Sequence, residues 1–463
     1  MYQFFKVNDP FRLIGVSLFL LLWSVLYLVF SDFQLTAPQL SWMLLGERLG
    51  DGYFLYQDII DDNGPLSAGF FVLLDFLFGK SILAYELLGR LLILFQVVYW
   101  NNTLIRYRVF DENTYLPAIV LLSLFHLSFD MLSLTPALLG STFLLLALNQ
   151  LFSQTVLQKD SSESTLLIGI YGGLACGFHP IYVVFLPFMI FSGIAISSFS
   201  FRQLMLSLAG YLLPLLLISV FYYWNDGLDE AIQIWPLIFL SEKYLYQSYF
   251  FWLILGAFPL LLALTGFLLN SIKRVATINQ QKQRQILIIW LLFAGIAIFF
   301  AKRQATYQWV SLLPTLSYLI TSFFLQIKKK VLIKLSFFLL TILMPLTSWW
   351  LMNTKQEINE NYLVQNENPS ESYPEGLMIL GDDLSGYLNS QLKGPFLNFH
   401  LSKLYLEQGR NLAQRAQLFT MIHSQRPPVI LDTEGVFEKI LKDYPELQRE
   451  YSQAEKGVYR LIK

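Results

Sequence analysis

A single cysteine, Cys176, stands in 463 residues, and charged side chains make up only 14% of them. The first shortage excludes an internal disulfide and any thiolate metal site. The second lies far below the soluble average of about 25%. With 55% hydrophobic residues, 16% aromatic and a mean hydropathy of +0.50, it excludes an ordinary water-soluble domain. Neither sign of charge is in surplus, since the formal net charge is -1. The lysines and arginines gather at the ends of apolar runs instead of forming a stripe, so no nucleic-acid partner is expected. No period of self-similarity runs along the chain, which removes a repeat array. Cys176 lies inside an apolar segment and reads as a small core residue. What remains is a polytopic α-helical membrane protein.

A spanning helix needs about 20 apolar residues. Runs of suitable length are 11–30, 83–102, 116–132, 136–152, 165–178, 181–197, 203–224, 250–270, 285–301, 306–325 and 331–351, about eleven spans in all. The run 11–30 is too long for a signal-peptide core and has no small-residue cleavage site after it, so it reads as a retained anchor. One further apolar piece, 66–79, is too short to cross and carries Asp75. Lysine and arginine asymmetry orients the whole. Lys6 and Arg12 place the N-terminus in the cytoplasm, as do Arg106 and Arg108, Lys159, Arg202, the group Lys273, Arg274, Lys282 and Arg284, and Lys328 to Lys330 with Lys334. These agree only if 66–79 lies flat or re-entrant on the outer face. Residues 32–64, 128–135, the His179-Pro180 break, 225–249 and 302–305 are then outside. Trp100, Trp224, Trp349 and Trp350 fall near helix ends, as interfacial aromatics do.

Composition changes after Leu351. Residues 352–374 are polar and rich in Asn, Glu and Ser, the pattern of a linker. From 375 to 463 strand-like stretches 376–381, 395–399, 428–432 and 457–462 alternate with helical stretches 411–424 and 434–441. The expected organisation is therefore a transmembrane domain over 1–351, with an outer loop at 31–64 and a juxtamembrane segment at 66–79, then the linker and a small α/β domain on the extracytoplasmic side.

Chemistry-bearing residues concentrate in the first outer loop. Trp42, Leu45 and Leu49 recur at helical spacing, which predicts a short helix lying in the headgroup layer. Glu47, Asp51, Asp58, Asp61 and Asp62 follow, with Tyr56 among them and Gly64-Pro65 to turn the chain. A solvated acidic turn and a ligand-binding loop both fit this pattern. Lys302, Arg303 and Tyr307 sit where one span ends and the next begins at the outer face. Cations there run against the usual bias, which favours a lipid phosphate as their partner over simple anchoring. Glu86 and Arg90, four apart on a spanning helix, read as a structural pair. His126 and Asp130, also four apart, read as a local hydrogen bond, because two further metal ligands are not evident. His400 and His423 show no zinc spacing. His179-Pro180 predicts a helix break.

Gly46, Gly52, Tyr56, Asp58, Asp61 and Pro65 fit, without a gap, the pattern Gly, short helix, Gly, Tyr-x-Asp-x-x-Asp-x-x-x-Pro. In this the chain resembles the GT-C superfamily of membrane glycosyltransferases, which contains protein O-mannosyltransferases and bacterial aminoarabinose transferases. Residues 66–79 with Phe78-Gly79 and Arg90 are similar to the juxtamembrane helix and arginine that follow in that family. Residues 173–187 resemble its broken middle helix, and Lys302, Arg303 and Tyr307 its lipid-phosphate segment. The resemblance implies transfer of a sugar from a polyprenyl-phosphate donor to an acceptor, whose identity is open, at the outer face of a bacterial inner membrane. It also implies a loop carboxylate as general base and a divalent metal ion as cofactor. The position that bears this carboxylate falls here on Pro38 or Gln39, neither of which takes a proton, so Asp32, Asp58 and Asp130 are the candidate catalytic carboxylates. Other departures are His179, where a lysine is common, and the lack of a proline soon after Tyr307.

Two functions remain from different classes: an enzyme of this kind in the cell envelope, and a non-catalytic scaffold of the same descent that binds lipid or a partner protein. A solute transporter is disfavoured, because beyond Glu86 and Arg90 few intramembrane polar sites are visible and the trailing α/β domain is left without a role.

Overall fold

The computed structural model describes residues 1–30, 35–157, 162–272, 276–354, 358–364, 373–407 and 412–462. Asp32, Lys159, Lys273, Arg274 and parts of the expected linker lie outside the described residues. Eight described helices are long and apolar enough to cross a membrane: Arg12–Val29, Ile82–Arg106, Pro136–Val156, Phe201–Trp224, Tyr249–Ile272, Ile278–Phe300, Thr306–Gln326 and Lys330–Thr354. The chain is an integral membrane protein.

Three of the expected spans, 116–132, 165–178 and 181–197, are not among these eight. The run expected over 116–132 stops as a helix at Phe125, so Leu116–Phe125 extends only about 15 Å at 1.5 Å per residue. That is about half the hydrocarbon thickness of a bilayer, and all ten residues are buried within the protein. Local side chains end it: the Ser123 hydroxyl donates to the Ile119 carbonyl at 2.8 Å, and the His126 ring nitrogen Nδ1 lies 2.8 Å from the Leu122 carbonyl. Ser128 then turns extended. Farther on, the expected break is present. Helix Ser162–Phe178 ends before His179, and Pro180, which has no N–H to donate, opens a 3₁₀ turn Pro180–Val184 that leads into helix Phe185–Ala195. Residues 66–79 form helix Pro65–Phe78, 14 residues long and too short to span, as expected.

The chain divides into two compact units. The first comprises Met1–Phe33, Leu83–Ile218 and Gln247–Ile358. Several polar residues of its apolar helices pair with one another across the helices. Arg90 pairs with Glu86 as the spacing predicts, and its Nε also donates to the Ser24 hydroxyl at 3.0 Å, tying two spanning helices together. Trp100 Nε1 donates to the Ser317 hydroxyl at 2.8 Å, and Gln96 Nε2 to the Thr142 hydroxyl at 2.7 Å. Elsewhere the helices touch backbone to backbone. A Cβ at Gly169 would lie 2.0 Å from the Ser207 carbonyl oxygen, so only glycine permits the contact between Ser162–Phe178 and Phe201–Trp224.

The second unit comprises Gln34–Ile82, Ser219–Tyr246 and Asn359–Lys463. Its sheet has four strands, β1 (Leu377–Leu380), β2 (Val429–Asp432), β3 (Tyr451–Glu455) and β4 (Val458–Leu461), in the order β1-β2-β4-β3. The β1 and β2 strands run parallel, with Leu377 opposite Val429, and the other pairs run antiparallel. At the end of β2 the Asp432 carboxylate accepts from the backbone N–H groups of Val436, Phe437 and Glu438 at 2.9, 2.8 and 3.3 Å, which caps helix Val436–Asp443. Residues 395–399, expected as a strand, do not join this sheet. They meet the first outer loop instead: Ile60 N–H donates to the Pro395 carbonyl at 2.7 Å, and the N–H of Asn398 to the Ile60 carbonyl at 3.2 Å. The long connection 225–249 also holds an unexpected helix, Leu228–Leu240.

Tyr387 gives this unit a pH signature. Its buried hydroxyl accepts from the Ile379 N–H at 2.8 Å, and burial pushes its pKa above the ordinary value of 10.0. The folded form therefore holds the neutral phenol while the unfolded chain ionises near pH 10. Stability is full below that pH and falls as pH rises toward the higher folded pKa. Thermal unfolding of the full chain in micelles, compared from about pH 8 to about pH 11, should show a steeper alkaline decline for the wild type than for Tyr387→Phe. The variant should be less stable by about 1 kcal/mol at neutral pH, because Ile379 N–H loses its acceptor. Parallel declines would remove Tyr387 from this role.

Candidate functional site

In the first unit the site is the segment that joins two spanning helices. Helix Ile278–Phe300 stops at Ala301, residues 303–305 run extended, and a 3₁₀ turn Thr306–Leu312 leads into helix Leu313–Gln326. Asp130, on the 3₁₀ turn Phe129–Met131, clasps this segment. Its Oδ1 accepts from the Thr306 hydroxyl at 2.6 Å, and its Oδ2 from the Tyr307 N–H at 3.2 Å and the Gln247 side-chain amide at 3.5 Å. Gln247 also accepts from the Thr306 N–H at 2.8 Å, and the Thr306 and Ser128 hydroxyls are 2.7 Å apart. On the same segment, His179 Nε2 lies 3.0 Å from Gln308 Oε1, and Gln308 Nε2 donates to the Arg303 carbonyl at 3.4 Å.

Four residues singled out from the sequence thus meet here: Asp130, His179, Arg303 and Tyr307. Arg303 and Tyr307 are buried, at 9% and 3% exposure, and Lys302 is half-buried. A guanidinium held at the end of a membrane-spanning helix offers a planar fork of donors, the geometry that fits phosphate oxygens. The expected bond between His126 and Asp130 does not form. The helix ends at Phe125, so the four-residue spacing no longer shares a face, and His126 instead sits among Phe19, Trp23 and Tyr27. Gln247, Ser128 and Thr306 were missed, since neutral polar residues beside apolar runs carry no charge or periodic signal. The alternation Gln304, Thr306, Gln308 was the available hint.

In the second unit the acidic loop is ordered by its own residues. Helix Ala37–Gly50 opens with Thr36 accepting from the Gln39 N–H at 3.3 Å, which places Pro38 and Gln39 in its buried first turn. The helix was expected to lie in the headgroup layer with one apolar face. It is covered on every side along 37–46 instead, because Gly46 lets it approach Pro65–Phe78 closely: a Cβ there would meet the Phe71 carbonyl oxygen at 2.6 Å. Trp42 stacks on Phe71 with ring centroids 5.9 Å apart. Arg48 covers the Tyr53 ring at 3.8 Å and donates to Gln425 Oε1 at 3.0 Å, while Gln425 Nε2 donates to the Asp58 carbonyl at 2.7 Å.

Tyr56 is the keystone of that loop. It is fully buried, adopts φ +70°, stacks on Tyr222 at 5.8 Å, and its hydroxyl donates to the Asn63 carbonyl at 2.6 Å. Burial first, then Tyr222, Asp61 and Asp62, hold its pKa well above the ordinary value, so it acts as a neutral donor. Asp61 is fully buried and accepts from the N–H and the side-chain amide of Asn63. Pro65 begins helix Pro65–Phe78 with Gly64 as its cap. Asp58 is half-buried, and one of its carboxylate oxygens accepts from the Phe54 N–H at 2.8 Å. Asp32 lies outside the described residues. Among the described residues no group of three or more His, Cys, Asp or Glu is placed to hold the divalent ion that the resemblance implies.

No family model matches the chain, and no curated protein matches it at a significant level. Among solved structures, a crystal structure of ArnT from Cupriavidus metallidurans bound to undecaprenyl phosphate matches with 12% sequence identity and a TM-score of 0.44. The match covers 68% of this chain and 60% of ArnT, less than two thirds of its length.

Proposed function

We propose that this protein is a membrane glycosyltransferase of the GT-C type, which takes a sugar from a polyprenyl-phosphate donor and passes it to an acceptor at the outer face. The observation that carries this reading is the buried Arg303 on a segment clasped by Asp130. A guanidinium is kept out of water on the same segment as the buried Tyr307 and at the end of a spanning helix, at the depth suited to the phosphate of a membrane lipid. Lys302 and Arg303 would stabilise negative charge on the departing phosphate. Asp130, whose oxygens already accept from Thr306, Tyr307 and Gln247, acts as a positioning residue. Asp58 has a carboxylate oxygen beyond the one bonded to Phe54 and would serve as the base that deprotonates an acceptor hydroxyl.

The purified full chain should bind undecaprenyl phosphate, and Arg303→Gln should weaken that binding by about tenfold or more. Asp58→Asn should leave the binding unchanged and abolish transfer from a polyprenyl-linked sugar. Equal binding by wild type and Arg303→Gln would overturn the phosphate assignment, and undiminished transfer by Asp58→Asn the assignment of the base. A specific observation favours the scaffold as second reading: Pro38 and Gln39 occupy the buried helix turn where the family's carboxylate falls. Lipid binding without transfer or hydrolysis by the wild type would select it.

A further inference from the structure

Away from the site described above, the first unit holds a cavity of about 110 Å³ at the opposite ends of the helices that the lysine and arginine bias assigns to the cytoplasm. It opens where Ile82–Arg106, Tyr249–Ile272 and Leu313–Gln326 end and Ile278–Phe300 begins. Asp111, Glu112, Asn270, Gln280, Arg284 and Gln326 are in its lining. The volume lies below the range of about 300–1,000 Å³ for drug-sized ligands, so it suits a small polar group.

The lining divides by charge. Arg284 is fixed by a bond from its Nη1 to the Asn270 carbonyl at 2.8 Å, and it is the cation of the described wall. The same lining holds Asp111, which accepts from Gln280 Nε2 at 3.1 Å, and Glu112, 3.3 Å from the Lys6 ammonium. Both carboxylates are exposed. A ligand that satisfies such a lining carries an anion and a cation on one short stem. The aromatic wall decides between kinds of cation. Quaternary ammonium groups are held by open aromatic faces, whereas here Phe110 and Tyr318 stack on each other at 5.3 Å, each ring covering a face of the other. Carboxylates suit a primary ammonium, which donates three hydrogen bonds.

We propose that this cavity seats a phosphoethanolamine headgroup, with the phosphate on Arg284 and the ammonium on Asp111 and Glu112, and that the ligand is a membrane phospholipid. The helix-end location puts the cavity at headgroup depth. Leu268, Ile272 and Ile278, on the adjoining turns, are 51%, 75% and 73% exposed and offer apolar surface to acyl chains.

The test is a competition on the full chain in detergent, with equimolar phosphatidylethanolamine and phosphatidylcholine of identical acyl chains, read by native mass spectrometry. The wild type should retain phosphatidylethanolamine about fivefold or more over phosphatidylcholine. The double variant Asp111→Asn, Glu112→Gln should lose that preference while keeping total retention, and Arg284→Gln should retain less of both lipids. Equal retention by the wild type, a measurement that needs no variant to fold, would overturn the proposal. So would a preference that survives in the double variant. Displacement of the lipid by equimolar soluble phosphoethanolamine would make the free compound the ligand and overturn the assignment to a lipid.

Discussion

Alanine in place of Asp130 is expected to destabilise the protein by about 3 to 5 kcal/mol and to abolish retention of undecaprenyl phosphate. The carboxylate is buried at 5% exposure and gathers donors from Thr306, Tyr307 and Gln247. A hydrogen bond to a charged group contributes about 1.5 to 3 kcal/mol, and a donor left buried without an acceptor costs about 1 to 3 kcal/mol. Alanine removes the acceptor and strands the Tyr307 N–H inside the protein. Asparagine keeps one acceptor oxygen but turns an amide toward a donor, so its effect should be intermediate. The pair of variants also separates positioning from base catalysis. A positioning Asp130 loses lipid binding in step with stability. A catalytic base replaced by asparagine would lose transfer and keep binding. Thermal unfolding in micelles beside a lipid-retention assay reads both, and an alanine variant as stable and as retentive as the wild type would dismiss the clasp.

Much of this architecture was legible because lipid imposes simple rules. Long apolar runs marked the eight crossing helices, since a backbone without water must bond to itself. Pro180 marked its break, and the spacing of Glu86 and Arg90 marked their pair, each through a local cause that sequence shows directly. The shortening of 116–132 was not legible. Its apolar residues read as lipid-facing, yet all of Leu116–Phe125 is buried by protein, and burial by neighbours leaves the same composition as burial in lipid. Strand β3 escaped for a related reason: four of its five residues are exposed and three of those are polar, and they are strand only because they pair with β4.

The candidate site was legible in its charged members and hidden in its neutral ones. Arg303 and Asp130 drew notice as charges near helix ends, whereas Gln247 holds Thr306 with an ordinary side chain 59 residues away in sequence. The same holds for the acidic loop. Its motif residues were visible, but the tie from Ile60 to Pro395 is made by backbone groups, which leave no mark on residue identity. The small C-terminal α/β domain was expected from the change of composition and from the alternation of strand-like and helical stretches over 375–463. Contacts place residues 34–82 and 359–463 in the same compact unit.

Within that unit, Tyr56→Ala should cost about 4 kcal/mol, the second large effect expected here. Removing a fully buried aromatic typically costs about 3 to 5 kcal/mol, and the Asn63 carbonyl would also lose its donor. One term opposes this loss. A non-glycine residue at φ +70° is strained by about 1 to 2 kcal/mol, which alanine keeps and Tyr56→Gly would relieve. Glycine should therefore be the less damaging of the two truncations, an inversion of the usual order. Tyr56→Phe keeps the stack on Tyr222 and loses only the bond to Asn63, so it should cost about 1 kcal/mol. Function should follow a different order. Asp58 lies two residues on, and the turn that fixes its carboxylate is closed by the Tyr56 N–H donating to the Ile59 carbonyl at 2.8 Å. Glycine restores the backbone but not the ring that holds it, so transfer should fall with both truncations and persist with phenylalanine. Unfolding midpoints and transfer rates of the three variants measure the two orders separately. A glycine variant no more stable than alanine would show that the left-handed backbone at Tyr56 stores no strain, and transfer undiminished in both truncations would detach this loop from catalysis.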